Sequence, residues 1–433
     1  MKDKNQVFIV SLAITIIMAI WAVAFNANFT VVSNAAYSFL TNNFGWLYLM
    51  AMTAFVIFSV AIAFSKWGKI KLGPDDSKPE YSTVSWFAML FGAGMGVGLV
   101  FWGISEPLAH FSNPIPGIEA GTEAAANFAI RSSYMHWGLH PWANYCIIGL
   151  GLAYFQFRKG KPGLISSIFE PLIGEKGING WVGKTIDVLA VFATVAGVVT
   201  SLGLGVMQIN AGLNYLFGIP TTLVIQIIII AVISVIYIWS AVDGISRGIK
   251  IISDANLYIA IGLITVTFLV GPKLEILNNL TNGLGQYLQN FFGDSLMINN
   301  YGDNTWVGAW RVFYWAWWIA WAPFVGSFIA RISKGRTIRE FIAGVVLAPA
   351  LGSILWFAIM GSLGLHLGMD GTLSVAQLAD IASKPETGLF IVMGQYPLGM
   401  ILCVVSLILL CTFFITSANS GTFVLAMFSS KGD

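Results

Sequence analysis

The stretch FYWAWWIAWAPFVG, residues 313–326, places four tryptophans in an otherwise apolar segment: Trp315, Trp317, Trp318 and Trp321. Arg311 and Arg331 flank it at a separation of about 30 Å along a helix, which matches the hydrocarbon thickness of a bilayer. The segment therefore predicts a transmembrane helix with Trp318 near its middle. Membrane tryptophans usually form belts at headgroup level, so indoles at mid-depth require another explanation.

The composition of the whole chain agrees with a membrane protein. Of the 433 residues, 57% are hydrophobic and 10% are charged, whereas soluble domains carry about 25% charged residues. The cysteines and histidines show no disulfide or metal-site spacing, and the net charge of +2 gives no sign of nucleic-acid binding. The sequence thus predicts an all-α integral membrane protein with no cofactor, no catalytic metal and no nucleic-acid partner.

Apolar stretches long enough to cross a bilayer predict about ten spans. They cover residues 7–27, 46–66, 84–112, 127–157, 186–217, 220–241, 250–271, 303–331, 338–366 and 389–428. With the N-terminus inside, Lys and Arg collect in the cytoplasmic segments, with the exceptions Arg131, Lys273, Arg311 and Lys384. The positive-inside rule then predicts a multi-pass protein with both termini in the cytoplasm. A signal peptide is the alternative for the first span, because AVA at 22–24 resembles a cleavage site.

One segment outside the spans has a pattern of its own. Residues 272–302 alternate apolar and polar positions, and several apolar side chains recur at helical spacing: Leu274, Ile276, Leu277, Leu280 and Leu284. This pattern predicts an amphipathic helix that lies along the outer surface.

The mid-depth tryptophans share one face of their helix, because Trp321 follows Trp317 by four positions and Trp318 by three. A second aromatic group occurs in YMHWGLHPWANY, residues 134–145, where Pro141 is expected to kink the helix. Two aromatic faces can form a cage that holds a quaternary ammonium, which has no N–H to donate, through cation–π attraction. Plain helix packing is the alternative explanation.

Glycines and prolines predict interruptions in two spans. FGAGMGVGLVFWGISEP, residues 91–107, has glycine at 92, 94, 96 and 98, and an unwound stretch there would offer backbone groups to ligands. A small-residue packing seam is the alternative, and the absence of a preceding strand excludes a dinucleotide fingerprint. Pro323 and Gly326 predict a matching break in the eighth span. Such a pair of segments is typical of inverted-repeat transporters.

Several long blocks resemble the betaine/choline/carnitine transporter family. They are GAGMGVGLVFWGISEP, MHWGLHPWANY, ATVAGVVTSLGLGVMQINAG at 193–212, WAWWIAWAPFVGSFIARISKGRTIREF at 315–341 and FFITSANSGTFVLAMF at 413–428. The resemblance implies a LeuT-like inverted five-helix repeat after two extra helices, in a homotrimer in a bacterial inner membrane. The expected parts are residues 1–83 with two helices and a cytoplasmic loop, 84–271 as the first repeat, 272–302 as the external helix, and 303–433 as an incomplete second repeat.

The resemblance also implies site residues. Substrate would contact Trp137, Trp142, Tyr145, Trp317, Trp318 and Trp321, with the backbone of Met95, Gly96 and Gly98 close by. One sodium ion would be bound by Gly92, Met95, Phe413, Thr416 and Ser417. A second would use Thr194 and Phe324.

Three departures from the family pattern qualify these expectations. Val198 stands where betaine transporters carry a second threonine, which weakens the second sodium site, and Asn419 replaces a common aspartate. The last two of the usual twelve spans are also absent from the sequence.

The predicted function is sodium-coupled import of glycine betaine or a similar compatible solute, which serves osmoprotection. Gly98 favours a zwitterion, because choline transporters tend to carry an acidic residue there. The alternatives are a proton-coupled or sodium-independent choline or carnitine transporter, and a channel or receptor gated by quaternary ammonium. An intramembrane enzyme is a third class, with Ser105, Glu106 and His110 as its best candidates, but their spacing shows no nucleophile–base pair. Glu106 is expected at a helix end beside Pro107. Glu106 and Arg131 are candidates for an external gate pair, and plain solvated charges are the alternative.

Overall fold

The computed structural model describes residues 6–94, 96–242 and 246–429. Within these ranges the chain is helical, and its one β-bridge joins Lys71 to Thr337. The α-helices are α1 (Gln6–Ala24), α2 (Asn26–Phe64), α3 (Thr83–Gly94), α4 (Val97–Ser112), α5 (Glu123–Trp137), α6 (Leu139–Ala153), α7 (Glu170–Asn179), α8 (Trp181–Phe217), α9 (Leu223–Val242), α10 (Ser246–Val270), α11 (Lys273–Gln289), α12 (Phe291–Ser295), α13 (Phe313–Ile332), α14 (Ile338–Met369), α15 (Val375–Ser383), α16 (Pro385–Met393) and α17 (Gly399–Ser429).

Short 3-10 and π segments complete the described secondary structure. The 3-10 helices are Lys66–Lys69 and Ile165–Phe169, and the π-helices are Tyr154–Arg158 and Val307–Val312. Within the described residues, six helices are long and apolar enough to cross a membrane, or up to eight spans if each bent helix pair counts as one. These helices fit a multi-pass membrane protein, and the number of ten spans remains a prediction.

The first two helices differ from the predicted spans. The sequence predicts spans at 7–27 and 46–66 with residues 28–45 between them, but α2 begins at Asn26 and is continuous for 39 residues. At 1.5 Å per residue it is about 58 Å long, nearly twice the hydrocarbon thickness. Side-chain hydrogen bonds to the preceding turn occur along its polar half, where Thr30 and Asn43 donate to the carbonyls of Asn26 and Phe39. These residues therefore extend the helix instead of ending it.

Two predicted spans are each made of two helices. The axes of residues 83–92 and 97–112 differ by 62°, so the glycine-rich stretch marks a real change of direction. Between α5 and α6, Gly138 has a non-helical conformation with φ −89° and ψ −125°. The kink expected from Pro141 therefore falls three residues earlier, because a proline disrupts the turn that precedes it.

The predicted break at Pro323 and Gly326 is wrong. α13 is continuous from Phe313 to Ile332 and contains Pro323 in its interior. Proline is tolerated inside membrane helices when neighbouring helices pack around it, and both Pro323 and Gly326 are buried. A Cβ added to Gly326 would lie 3.0 Å from the backbone nitrogen of Gly149, so this glycine allows α13 to approach α6 closely.

The helix predicted within 272–302 is present as α11, followed by the short α12. α11 is inclined by 113° to residues 254–270 of α10. Ile276 and Tyr287 are buried against the rest of the chain, whereas Leu274 and Leu277 are exposed. The amphipathic pattern thus corresponds to one buried and one exposed face.

The loop between α2 and α3 is fixed to the turn before α14 by backbone and side-chain contacts. Gly335 and Ile338 donate to the carbonyls of Leu72 and Ile70 at 2.8 Å. The Arg336 guanidinium lies over the Trp86 ring, 4.0 Å from its centroid. These contacts hold the start of α3 against α14 at one end of the helix bundle.

Candidate functional site

A cavity of about 730 Å³ lies between α3, α4, the end of α5, α6, α8, α10, α13, α14 and α17. Its wall includes Tyr81, Ser85 and Asp254, which are all exposed, so the cavity reaches the molecular surface there. The breaks between α3 and α4 and between α5 and α6 lie beside its deep end. Among the described lining residues, Asp254 is the one with a charged side chain.

The six aromatic residues predicted from the two clusters all line this cavity. The rings of Trp317 and Trp318 are stacked, with centroids 4.7 Å apart and planes 11° apart. Trp137 meets Trp318 edge to face at 4.8 Å. Tyr145 lies 6.4 Å from Trp318 and 5.4 Å from Trp142. Trp321 contacts Phe324 at 5.3 Å. The mid-depth indoles therefore surround an internal space.

Hydrogen bonds hold the centre of this aromatic wall. The Trp318 indole donates to the carbonyl of His136 at 2.9 Å, and the Asn144 amide donates to the carbonyl of Trp318 at 2.8 Å. Both bonds join α13 to the helices on either side of the Gly138 break. The buried indole nitrogens of Trp317 and Trp321 have no hydrogen-bond partner among the described residues. The Trp321 nitrogen faces α8, where a Cβ on Gly197 would lie 2.9 Å from it.

The glycine-rich stretch borders the same space. Gly96 and Gly98 line the cavity, and a Cβ on Gly98 would lie 3.0 Å from Cη2 of Trp137 and 3.7 Å from Cη2 of Trp317. Gly98 therefore permits the close approach of α4 to the indoles. Met95, which was predicted for both substrate and sodium, lies outside the described residues.

The residues predicted for the first sodium ion lie on α3 and α17, at the same cavity: Gly92, Phe413, Thr416 and Ser417. The Thr416 hydroxyl donates to the carbonyl of Phe413 at 3.1 Å and accepts from the Asn256 amide at 3.4 Å. The proton of the Thr416 hydroxyl therefore points into the helix, and the oxygen keeps a lone pair. A hard cation such as sodium binds to oxygen lone pairs of this kind.

Of the two residues predicted for the second sodium ion, one lines the cavity and the other does not. Phe324 lines the cavity, whereas Thr194 is buried in α8 and donates its hydroxyl to the carbonyl of Ala190 at 2.8 Å. Val198 lines the cavity one turn after Thr194. Its methyl groups offer no ligand to a cation, so the structure provides fewer oxygens here than at Thr416.

A buried polar cluster adjoins the aromatic wall. Glu106 is fully buried inside α4, so its prediction as a helix-end residue is wrong. The proposed partnership of Glu106 with Arg131 is also wrong, because Arg131 pairs with Asp294 at 2.9 Å. Glu106 instead bonds to His136, Trp137 and Tyr314. A carboxylate within an apolar span is by itself a sign of function, and that signal was available in the sequence.

Three groups in this cluster have donor atoms of the kind that bind metals. Oxygen or nitrogen atoms of Glu106, His110 and His136 lie within 4.8 Å of one another. Glu106 Oε1 and His136 Nδ1 are 2.7 Å apart, which is a hydrogen-bond distance and explains the grouping without an ion.

The residues considered for an enzyme are not arranged for catalysis. The Ser105 hydroxyl donates to the carbonyl of Pro385 at 2.5 Å, while His110 contacts Glu106 at 3.4 Å. Ser105 therefore lacks the hydrogen bond to a base that an activated nucleophile needs.

Comparisons with known proteins agree on one family. A family model described as the BCCT, or betaine/carnitine/choline, family transporter matches residues 6–433. The glycine betaine transporter OpuD of Bacillus subtilis is 48% identical over 434 residues, covering 100% of this chain and 84% of OpuD. A probable glycine betaine transporter of Desulfitobacterium hafniense is also 48% identical, covering 100% of this chain and 86% of its own length. An ectoine/hydroxyectoine transporter of Virgibacillus pantothenticus is 43% identical, with 99% and 85% covered.

Proposed function

The chain belongs to the betaine/carnitine/choline family of transporters, and on that basis we propose that it imports glycine betaine, or a closely related quaternary ammonium solute, by sodium symport. The observation that carries this proposal is the aromatic wall around a cavity whose deep end has no charged side chain. Indoles attract a methylated ammonium without a hydrogen bond, and a desolvated contact is worth about 2 kcal/mol.

The uncharged deep end favours a zwitterion over a simple cation. A net cation such as choline would bring an unbalanced charge into a cavity that has no carboxylate at its deep end, whereas betaine is neutral overall because it carries its own carboxylate. α4 begins at Val97 beside the cavity, and the backbone N–H groups of its first turn are donors that this carboxylate can use. The names of two relatives that are 48% identical, a glycine betaine transporter and a probable glycine betaine transporter, support the same substrate.

We place the cavity in an inverted repeat of five plus five helices that follows α1 and α2. The broken helix pair α3 and α4 begins the first repeat and α13 begins the second, with α11 and α12 on the outer surface. Both termini are cytoplasmic, and the protein is a homotrimer in a bacterial inner membrane, in contact with its lipids. On this topology, the opening at Tyr81 and Ser85 faces the cytoplasm, so the cavity is inward-facing.

Uptake into proteoliposomes tests the substrate and the coupling. We expect radiolabelled glycine betaine to accumulate under an inward sodium gradient, with ectoine, choline and carnitine taken up more slowly. Accumulation under a proton gradient alone would favour the proton-coupled or sodium-independent alternative, for which Val198 is the supporting observation. Saturable binding of betaine without accumulation would identify a channel or receptor.

Removal of the hydroxyls on α17 tests the sodium site. The double substitution Thr416→Ala and Ser417→Ala should abolish the dependence of betaine uptake on sodium, because two oxygen ligands are lost. Thr200→Ala is the matched control, since its exposed hydroxyl donates to the carbonyl of Ala196 on the outside of α8. An unchanged sodium dependence in the double variant would exclude this site.

A further inference from the structure

We propose that Glu106 supplies a counter-charge to the substrate ammonium through the indole of Trp137. Glu106 is a positioning residue that orients this indole and polarises it, so that the ring face becomes a stronger ligand for a cation. The inference rests on the proposed function, because it assumes that a quaternary ammonium occupies the aromatic cavity.

The first argument is that Glu106 is held as an anion. Its carboxylate is fully buried and accepts from donors on both oxygens. His136 Nδ1 and His110 Nε2 lie 2.7 and 3.4 Å from Oε1, while Trp137 Nε1 and Tyr314 Oη lie 2.7 and 2.6 Å from Oε2. An indole N–H can only donate, and bonds this short to a carboxylate are typical of charge-assisted hydrogen bonds.

The surrounding charges are consistent with an ionised Glu106. Arg311 is fully buried and donates to the backbone carbonyl of Asp294, and its guanidinium lies 5.4 Å from the Trp306 ring. Arg131 pairs with Asp294. With neutral histidines, two carboxylates and two guanidinium groups balance, so the cluster as a whole carries no net charge into the membrane.

The second argument is the orientation of Trp137. Its N–H end is bonded to Glu106, whereas its Cη2 end borders the cavity beside Gly98. Trp137 lines the cavity, but Glu106 does not. One indole therefore separates the buried anion from the space where the ammonium is proposed to bind.

The hydrogen bond at the N–H end of the Trp137 indole affects the cation–π attraction at the ring face. A hydrogen bond to an anion shifts electron density from the N–H into the indole, and cation–π attraction grows with the negative potential of the ring face. The site is buried, so little water screens the carboxylate. An acidic side chain inside the cavity would repel the carboxylate of betaine, whereas Glu106 behind the ring attracts the ammonium from the far side.

The test distinguishes the effect of the ligand's positive charge on affinity from the effect of its shape. Glycine betaine and 3,3-dimethylbutanoate have the same shape, except that the second carries a neutral carbon in place of the ammonium nitrogen. The ratio of their affinities, measured by isothermal titration of the purified full-length protein, therefore reports the interaction with the positive charge. A purely structural defect would weaken the binding of both ligands and leave the ratio unchanged.

We expect Glu106→Gln, which keeps the size and one acceptor oxygen, to lower the affinity ratio by about tenfold, equivalent to ~1.4 kcal/mol. Asp187→Asn is the matched control: this buried carboxylate accepts from Ser166 in another part of the fold and does not line the cavity. It should leave the ratio unchanged. An unchanged ratio in Glu106→Gln would overturn the inference.

A second variant covers the case in which Glu106→Gln does not fold. Trp137→Phe keeps an aromatic ring at the wall but removes the N–H that joins it to Glu106, and it should lower the same ratio by a similar factor. An unchanged ratio there would equally overturn the inference. Failure of the wild-type protein to bind betaine would instead refute the proposed function, so the two failures are distinguishable.

Discussion

At the scale of single residues, the site depends on one position without a side chain and on one side chain without an oxygen atom. Gly98 brings α4 against Trp137 and Trp317, where a methyl group would already be in close contact. Val198 places methyl groups at the cavity where an oxygen would serve a cation. Both positions line the same cavity, so small changes at either one alter what the site can bind.

Gly98→Ala should weaken the binding of glycine betaine. The added Cβ, 3.0 Å from Cη2 of Trp137, must displace the indole, and overpacking of this kind costs about 1–3 kcal/mol, which is roughly a fivefold to hundredfold loss of affinity. Titration of the purified variant with betaine measures the effect. Gly285→Ala is the control, because a Cβ at this exposed position of α11 meets nothing within 4 Å. Equal affinities of both variants would contradict the close approach.

At the scale of helices, the break between α5 and α6 determines where the aromatic residues of the site lie. The break at Gly138 separates Trp137 from Trp142, which lie on different helices and face the same cavity. It leaves the backbone N–H of Leu139 without a helical partner, and the Tyr287 hydroxyl of α11 accepts from it at 3.1 Å. α11 therefore stabilises a discontinuity next to the site.

Tyr287→Phe should destabilise the protein. It removes the acceptor of the Leu139 N–H, and a buried donor left without a partner costs about 1–3 kcal/mol. The thermal unfolding midpoint in detergent should fall relative to the wild type. Tyr301→Phe is the matched control, since Tyr301 is 97% exposed. A midpoint equal to that of the control would show that the break does not need this hydroxyl.

At the scale of the whole molecule, the cavity opens at one end of the bundle, beside the loop that Arg336 and Trp86 fix in place. The opposite end is closed by the buried cluster around Glu106 and Arg311 and by α11 and α12 packed over it. This asymmetry is what a transporter requires when its site is accessible from one side of the membrane at a time.

Thiol labelling tests the direction of the opening. In a background without cysteines, Ser85→Cys at the cavity mouth should react with a membrane-impermeant maleimide in inside-out vesicles and stay unlabelled in right-side-out vesicles. Thr281→Cys, on the exposed face of α11, should show the opposite pattern. The same sidedness for both positions would contradict the proposed topology.

The sequence by itself determined the membrane class, the family, the aromatic residues of the cavity and the amphipathic α11. These follow from hydropathy, helical spacing and motif identity, which are local properties of the chain. Only the tertiary structure decided that Pro323 continues a helix, that α2 starts at Asn26, and that Arg131 pairs with Asp294 rather than with Glu106. It also showed the four donors around Glu106, which come from α4, α5 and the distant α13. The reason is physical: whether a proline breaks a helix, and which partner a buried charge takes, depends on neighbours that are remote in the chain and adjacent in space.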